Sequence, residues 1–108
     1  MKWERGRQGT GYDKLCLVTS RLLALDLYLL RFPAGSSVPE HRDTVKSGEH
    51  YRLNLILKNA RQGGVFQGKA LWRTKRIILF RPDIELHAVS PIEAGTRWVL
   101  SFGFVRGG

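Results

Sequence analysis

Residues 85–105, ELHAVSPIEAGTRWVLSFGFV, decide the fold. Two β-type runs, Glu85–Ser90 and Thr96–Val105, flank the turn-forming segment Pro91–Gly95, which is the pattern of antiparallel strands. Similar short runs, separated by Gly, Pro, Ser and Asn, recur along the chain. The other predicted strands are Lys14–Thr19, Asp26–Phe32, Val38–Asp43, Tyr51–Lys58, Gly64–Gln67 and Lys75–Phe80, and Ser20–Leu25 is expected to form a helical turn. Many short strands with few helix signals predict an all-β sandwich, barrel or jelly roll.

The length of 108 residues predicts a single small domain with a modest core. Residues 1–13 are rich in Gly and basic residues and lack periodicity, so they are expected to be a flexible lead-in to a domain spanning 14–108. The single cysteine, Cys16, excludes an internal disulfide and fits a reducing compartment. No apolar run approaches the roughly 20 residues that span a bilayer. We therefore expect a soluble, cytoplasmic protein without membrane association.

The net charge of +9, with a pI near 10.5, predicts attraction to polyanions such as nucleic acid. The basic residues are scattered along the sequence rather than gathered in one basic helix. General solubility explains the same composition. Charge alone therefore leaves a nucleic-acid partner and a merely basic surface as alternatives.

The candidate site residues that carry chemistry are His41, Asp43 and His87. In a strand, residues i and i+2 project from the same face, so His41 and Asp43 can bind one metal ion. His87 supplies a second imidazole, and two His with one carboxylate form the facial triad of non-haem iron(II) oxygenases. A His-x-Asp pair by itself is also common in polar surface loops, so the assignment depends on His87.

Arg97 follows His87 by ten residues, across the turn centred near Ile92. If the two runs form a simple hairpin, position 87 pairs with position 97 and both side chains share a face about 5 Å apart. The planar guanidinium of Arg97 suits a carboxylate. This register predicts an anion anchor beside the metal.

The order His-x-Asp, distal His and a basic residue ten positions later resembles the iron(II)/2-oxoglutarate-dependent dioxygenase superfamily, from about Leu25 to Phe104. The stretches 30–35, 63–66, 79–83 and 87–101 also resemble its prolyl-hydroxylase-type and nucleic-acid-demethylase-type members. The resemblance implies a double-stranded β-helix, which is a jelly-roll or cupin-like fold. It also implies Fe(II), 2-oxoglutarate and O2 as cofactor and cosubstrates, with ascorbate supporting activity.

Two positions depart from this family pattern: Phe32 replaces a tyrosine, and Val99 replaces a serine, that help to hold 2-oxoglutarate in many relatives. Ser101 shares the face of Arg97 by strand alternation. Arg52 and Asn54 share a face of the preceding Tyr51–Lys58 run, so these three residues are the expected cosubstrate contacts. His50 has no partner at motif spacing and is expected in an exposed loop.

The expected activity is hydroxylation or oxidative demethylation of a macromolecular substrate, either a peptide or protein or a nucleic acid, because so small a domain has little room for a lid. The alternative is a non-catalytic, cupin-like metal-binding or nucleic-acid-binding module that keeps the ligands. A serine hydrolase is excluded, since neither Ser90 nor Ser101 lies in a nucleophile elbow. The oligomeric state is left open by the sequence.

Overall fold

A computed structural model describes residues 3–5, 11–45 and 47–107. These residues form strands without a helix, which confirms the all-β prediction. The strands are β1 (Trp3–Arg5), β2 (Asp13–Ser20), β3 (Leu25–Phe32), β4 (Val38–His41), β5 (Glu49–Lys58), β6 (Gln62–Gly63), β7 (Phe66–Gly68), β8 (Trp72–Arg73), β9 (Ile77–Phe80), β10 (His87–Val89), β11 (Ile92–Ala94) and β12 (Arg97–Arg106). The described part of the chain contains no helix of the length and apolarity that crossing a bilayer requires.

The strands form three antiparallel sheets. The large sheet has seven strands in the order β1-β2-β3-β12-β5-β9-β8, and a small sheet has the order β4-β10-β7. A two-stranded ribbon joins β11 to β6. The first and last thirds of the chain meet at the centre of the large sheet, where β12 lies between β3 and β5. This non-local pairing is typical of a jelly roll.

Several local expectations differ from the structure. The predicted strand Val38–Asp43 ends at His41, so Asp43 follows the strand and is not part of it. Only Phe66 and Gln67 of the predicted run Gly64–Gln67 lie in a strand, β7, because Gly63 and Gly64 both adopt positive φ and interrupt the chain before it. The segment Ser20–Leu25 is a tight turn rather than a helical one, since Ala24 has φ of 51°. Part of the predicted lead-in, Trp3–Arg5, pairs with Asp13–Leu15 as an edge strand. Residues 1–2 and 6–10 lie outside the described residues, so the flexibility of 1–13 stays a prediction.

The hydrophobic core fills the space between the two larger sheets. Val38, Phe66 and Val89 from the small sheet pack against apolar side chains of the large one. The latter are Phe32, Ile56, Ile78, Phe80 and Val99. Burial of their apolar surface is the main stabilising contribution of the domain.

Gly63 is a position where the fold needs glycine. Its φ is +76°, and a Cβ there would collide with the backbone carbonyl of Pro91 on the opposing ribbon strand. Gly35 also has a positive φ of +89°, but a Cβ at Gly35 would meet nothing within 4 Å. Substitution of Gly35 therefore introduces backbone strain alone, whereas substitution of Gly63 introduces the same strain and a steric clash.

We expect Gly63→Ala to lower the free energy of unfolding by about 3 kcal/mol or more, because left-handed strain and overpacking add. Gly35→Ala should cost only about 1 kcal/mol, from the strain alone. Urea denaturation followed by circular dichroism measures both. Equal losses for the two variants would contradict the close approach of β6 to β11.

Candidate functional site

His41 and His87 are cross-strand neighbours. His41 ends β4, His87 begins β10, and the two residues pair directly in the antiparallel register of the small sheet. Their ring centroids lie 4.2 Å apart. Directly opposed residues of a sheet share a face, so the backbone pairing itself brings together two imidazoles that are far apart in the sequence.

The two rings are held in the same way. Nδ1 of His41 lies 2.7 Å from the carbonyl oxygen of Pro39, and Nδ1 of His87 lies 3.1 Å from that of Glu85. A carbonyl oxygen only accepts hydrogen bonds, so each Nδ1 is assigned as the protonated donor. Nε2 of each neutral ring is then left with its lone pair. This is the orientation that a metal-binding histidine usually has.

Asp43 completes the cluster. Its Oδ1 lies 3.4 Å from Nε2 of His41, and its Oδ2 lies 3.5 Å from Nε2 of His87. One ligand atom from each of the three residues lies within 4.8 Å of the others. Two lone-pair nitrogens and a carboxylate that converge in this way favour a cation between them. The donor set therefore fits a metal ion, and two imidazoles with one carboxylate are the facial-triad set.

A neighbouring loop fixes the position of Asp43. The backbone N–H of Asp43 donates to the carbonyl of Pro82 at 2.7 Å, which ties the ligand to the loop between β9 and β10. That loop is braced by Arg81, whose guanidinium donates to the buried carboxylate of Asp83 at 2.6 Å. The hydrogen bond from Arg81 lowers the pKa of Asp83, so this brace stays ionised under ordinary conditions.

His50 does not lie in an exposed loop, as the sequence suggested. It is part of β5, it is half-buried, and its backbone N–H donates to Asp83. Burial lowers the pKa of His50, with the positive charge of Arg52 as the next cause. His50 does not belong to the group of residues that could hold the metal.

Arg97 lies at the site, but the predicted hairpin does not place it there. The ribbon strand β11 pairs with β6, which separates β10 and β12 into different sheets. His87 consequently pairs with His41 and Gly68, whereas Arg97 pairs with Phe32. The predicted 87–97 pairing is wrong. Nevertheless both side chains line one cavity, because the small sheet faces the large one.

The guanidinium of Arg97 is almost fully buried, with 2% of the residue exposed. Its Nε has no hydrogen-bond partner, and within the described ranges no carboxylate forms an ion pair with it. The guanidinium carbon lies 5.4 Å from the ring centre of Phe32. Burial lowers the pKa of Arg97 to about 10. Such a buried, unbalanced cation is costly unless an anion joins it.

A chain of hydrogen bonds crosses the cavity floor beside Arg97. Arg52 donates to both carboxylate oxygens of Asp26 and, at 2.8 Å, to the hydroxyl of Ser101. Ser101 in turn donates to the side-chain oxygen of Asn54 at 2.6 Å. The structure therefore places Arg52, Asn54 and Ser101 together, as the shared faces predicted. The charge of Arg52 is neutralised by Asp26, which leaves Arg97 as the better anion anchor.

The cavity has a volume of about 290 Å³ and contains two groups that the sequence analysis missed, Lys14 and Tyr28. The Nζ of Lys14 lies 5.3 Å from the ring centre of Tyr28. Tyr28 pairs with Ser101 across β3 and β12, and because this pairing joins distant parts of the chain, the sequence carried no local signal for it. Burial is the main cause that raises the pKa of Tyr28, and its hydroxyl is a neutral hydrogen-bond donor to the cavity.

Comparison with known proteins identifies the architecture. The cupin domain of Cnp3 from Schizosaccharomyces pombe superposes with a TM-score of 0.64 at 12% identity, over 97% of this chain and 69% of that one. A predicted oxalate decarboxylase from Thermotoga maritima gives 0.62 at 15% identity, over 87% and 80%. The structure of KdgF from Halomonas sp. gives 0.61 at 14% identity, over 98% and 89%. The fold is a small cupin jelly roll. This confirms the predicted fold class.

The similarity is one of structure only. No protein-family model matches the chain, and no curated protein matches it in sequence. The structures named above are cupins and enzymes of other kinds, so the resemblance to 2-oxoglutarate dioxygenases stays a prediction from the sequence motifs.

We expect His41→Ala, Asp43→Ala and His87→Ala each to abolish tight binding of one iron(II) per chain, because each removes a convergent ligand. His50→Ala is the matched control and should bind normally. Bound metal is measured after anaerobic loading and desalting. Normal iron binding by His87→Ala, or equal loss in His50→Ala, would refute the assignment.

Proposed function

We propose that the protein is an iron(II)- and 2-oxoglutarate-dependent dioxygenase. The observation that carries the proposal is the buried, unpaired Arg97 in the same cavity as His41, Asp43 and His87. A metal triad alone fits many cupin activities. A triad combined with an unbalanced cation fits a ligand that has a metal-binding group at one end and a carboxylate at the other.

Each side chain has a distinct part in this proposal. Nε2 of His41, Nε2 of His87 and a carboxylate oxygen of Asp43 hold iron(II) and leave the remaining coordination positions open. Arg97 forms a charge-assisted hydrogen bond to the far carboxylate of 2-oxoglutarate. The hydroxyl of Tyr28 stands in for the tyrosine that Phe32 replaces, since both residues are on the cavity face of β3.

When iron is bound, it supplies the oxidation chemistry: O2 converts 2-oxoglutarate to succinate and CO2 while a substrate C–H bond is oxidised to C–OH. The protein orients the two ligands and limits the access of water. The core residues Phe66 and Phe80 line the same cavity and form its dry wall. Hydroxylation, or demethylation through an unstable hydroxymethyl product, would follow from the same step.

The anchor is tested by calorimetric titration of 2-oxoglutarate into anaerobic, iron-loaded protein. Loss of one partner of a buried charge-assisted bond costs about 2–5 kcal/mol, so Arg97→Ala should weaken binding by roughly two orders of magnitude or more. Arg97→Lys keeps the charge but loses the planar fork, and it should fall between wild type and alanine. Iron content should be unchanged in both.

Two controls define the outcome. Arg21→Ala, in the exposed turn after β2, should bind 2-oxoglutarate like wild type. Arg97→Met should not lower the melting temperature, because it replaces an unpaired buried charge by an apolar side chain. Succinate formation in wild type and its absence in Asp43→Ala would support turnover. Iron-loaded wild type that neither binds nor consumes 2-oxoglutarate would refute the proposal.

The second candidate is a nucleic-acid-binding module without catalysis, and the charge distribution favours it. No acidic residue occurs between Glu49 and Asp83. Six basic residues of this stretch are exposed, and none of them has an ion pair with a described residue. They are Lys58, Arg61, Lys69, Arg73, Lys75 and Arg76. Trp72 lies among them with 54% of its surface exposed, and an aromatic ring among cations suits stacking on single-stranded bases.

We expect fluorescence-labelled single-stranded oligonucleotides to bind weakly and without sequence preference, with affinity that falls steeply as salt rises. The double variant Arg73→Glu with Lys75→Glu should weaken binding at least about tenfold, since it reverses two phosphate contacts. The double variant Arg21→Glu with Arg106→Glu, at exposed positions near the turn after β2, is the charge-matched control. Equal weakening of oligonucleotide binding by the test variant and the control would show that binding depends only on net charge.

A further inference from the structure

The outer face of the large sheet, which points away from the small sheet, is more apolar than its inner face. On β3 the inward positions include Asp26 and Tyr28, while Leu25, Leu27 and Leu29 point outward. An antiparallel sheet with one solvated face normally has apolar residues inward and polar residues outward. Here the outward positions are apolar as well, while the inward face carries both core residues such as Phe32 and the polar side chains of the cavity.

The apolar outward positions continue across neighbouring strands in register. One continuous row of outward side chains crosses six strands through directly paired positions. It consists of Val18, Leu27, Phe102, Leu53, Leu79 and Trp72. Three members are substantially exposed: Val18 at 47%, Leu53 at 36% and Trp72 at 54%. No charged side chain interrupts the row.

A second row lies beside the first. It consists of Leu15, Leu29, Leu100, Leu55 and Ile77. Leu55 is 36% exposed. Charged side chains appear only at the rims of this surface. At one rim Arg31 is paired with Asp13, and at the other Arg106 is paired with Glu49.

The two rows and their neighbours form one patch, which we call the outer leucine face. Five strands spaced about 4.8 Å apart, with about seven residues of each at 3.4 Å per residue, cover roughly 24 Å by 20 Å. Two such faces in contact, counted as flat surfaces, would bury about 1,000 Å² in total, and this area is the lower limit for a specific interface. Interdigitating side chains would bury more. An exposed apolar patch of this size marks a contact surface.

We propose that two copies of this chain pack face to face through the outer leucine face. The central strand β12 lies in the middle of the patch, so a two-fold axis near Leu100 would place each row against the row of the other copy. Such an isologous contact is self-complementary. Face-to-face sheets pack about 10 Å apart with interdigitating side chains, and uncharged Leu and Phe rows fit that arrangement.

Charge favours a second copy over a polyanionic or acidic partner at this surface. The exposed basic residues closest to this surface lie at its edges, with Arg73 next to Trp72 and Lys58 paired with Trp98, whereas neither apolar row contains a charged side chain. Two copies with a net charge of +9 each repel one another at long range. Salt screens this repulsion, so the dimer should tighten as salt rises, whereas nucleic-acid binding weakens.

The test is sedimentation equilibrium of the full chain from about 1 to 200 µM, a range that spans ordinary dimer affinities. Wild type should approach twice the 12.3 kDa chain mass. Leu55→Glu should raise the dimer dissociation constant by at least about 100-fold, because two charges would enter the dry centre. Leu55→Gln, a milder variant, should raise it in the same direction, and circular dichroism checks that both remain folded.

Leu23→Glu and Val65→Glu are the matched controls, since both residues are exposed and lie outside the outer leucine face. They should dimerise like wild type. Wild type that stays monomeric at 200 µM (a weak limit by the scale of protein affinities) would overturn the proposal. Dimerisation of folded Leu55→Glu with wild-type affinity would overturn it as well.

Discussion

The positive charge of Arg97 lies inside the sandwich without a negative charge among the described residues to balance it. Burial of a lone cation destabilises a small domain, whose total stability is only about 5–15 kcal/mol. The fold nevertheless accommodates it. Gly64 leaves room for the side chain, since a Cβ there would lie 3.3 Å from Cδ of Arg97. The Phe32 ring covers one side. A ligand site typically contains a residue that lowers the stability of the fold in this way.

The large sheet therefore has two unusual faces. Its inner face carries Arg52, Asn54 and Ser101 in a continuous network beside the apolar core. The outer face carries the leucine and phenylalanine rows. The polar cavity reduces the apolar area that the monomer can bury, which is already limited at this chain length. Burial of the outer leucine face in a dimer would restore part of that loss.

The strand pattern was accessible from the sequence because it depends on short-range alternation. The His-x-Asp motif was accessible because its members are two residues apart, although Asp43 follows the end of β4. Ser101, Asn54 and Arg52 were placed together by strand alternation. The partner strand of His87 was not accessible. Between β10 and β12 the chain pairs with β6 through a short contact that includes Ile92 and Gly63. So short a strand has no hydrophobic periodicity by which the sequence could reveal its partner. Tyr28 was missed because its role depends on a strand paired across most of the chain length.

The direct pairing of His41 with His87 joins the first half of the chain to its last quarter. A metal ion held by both rings would close a long loop, as a cross-link does, and it would do so only in the folded chain. A ligand that binds only the native state adds to stability by mass action. Such a metal centre would act as a reversible staple, and the availability of metal in the surroundings would then help to determine how much of the protein is folded.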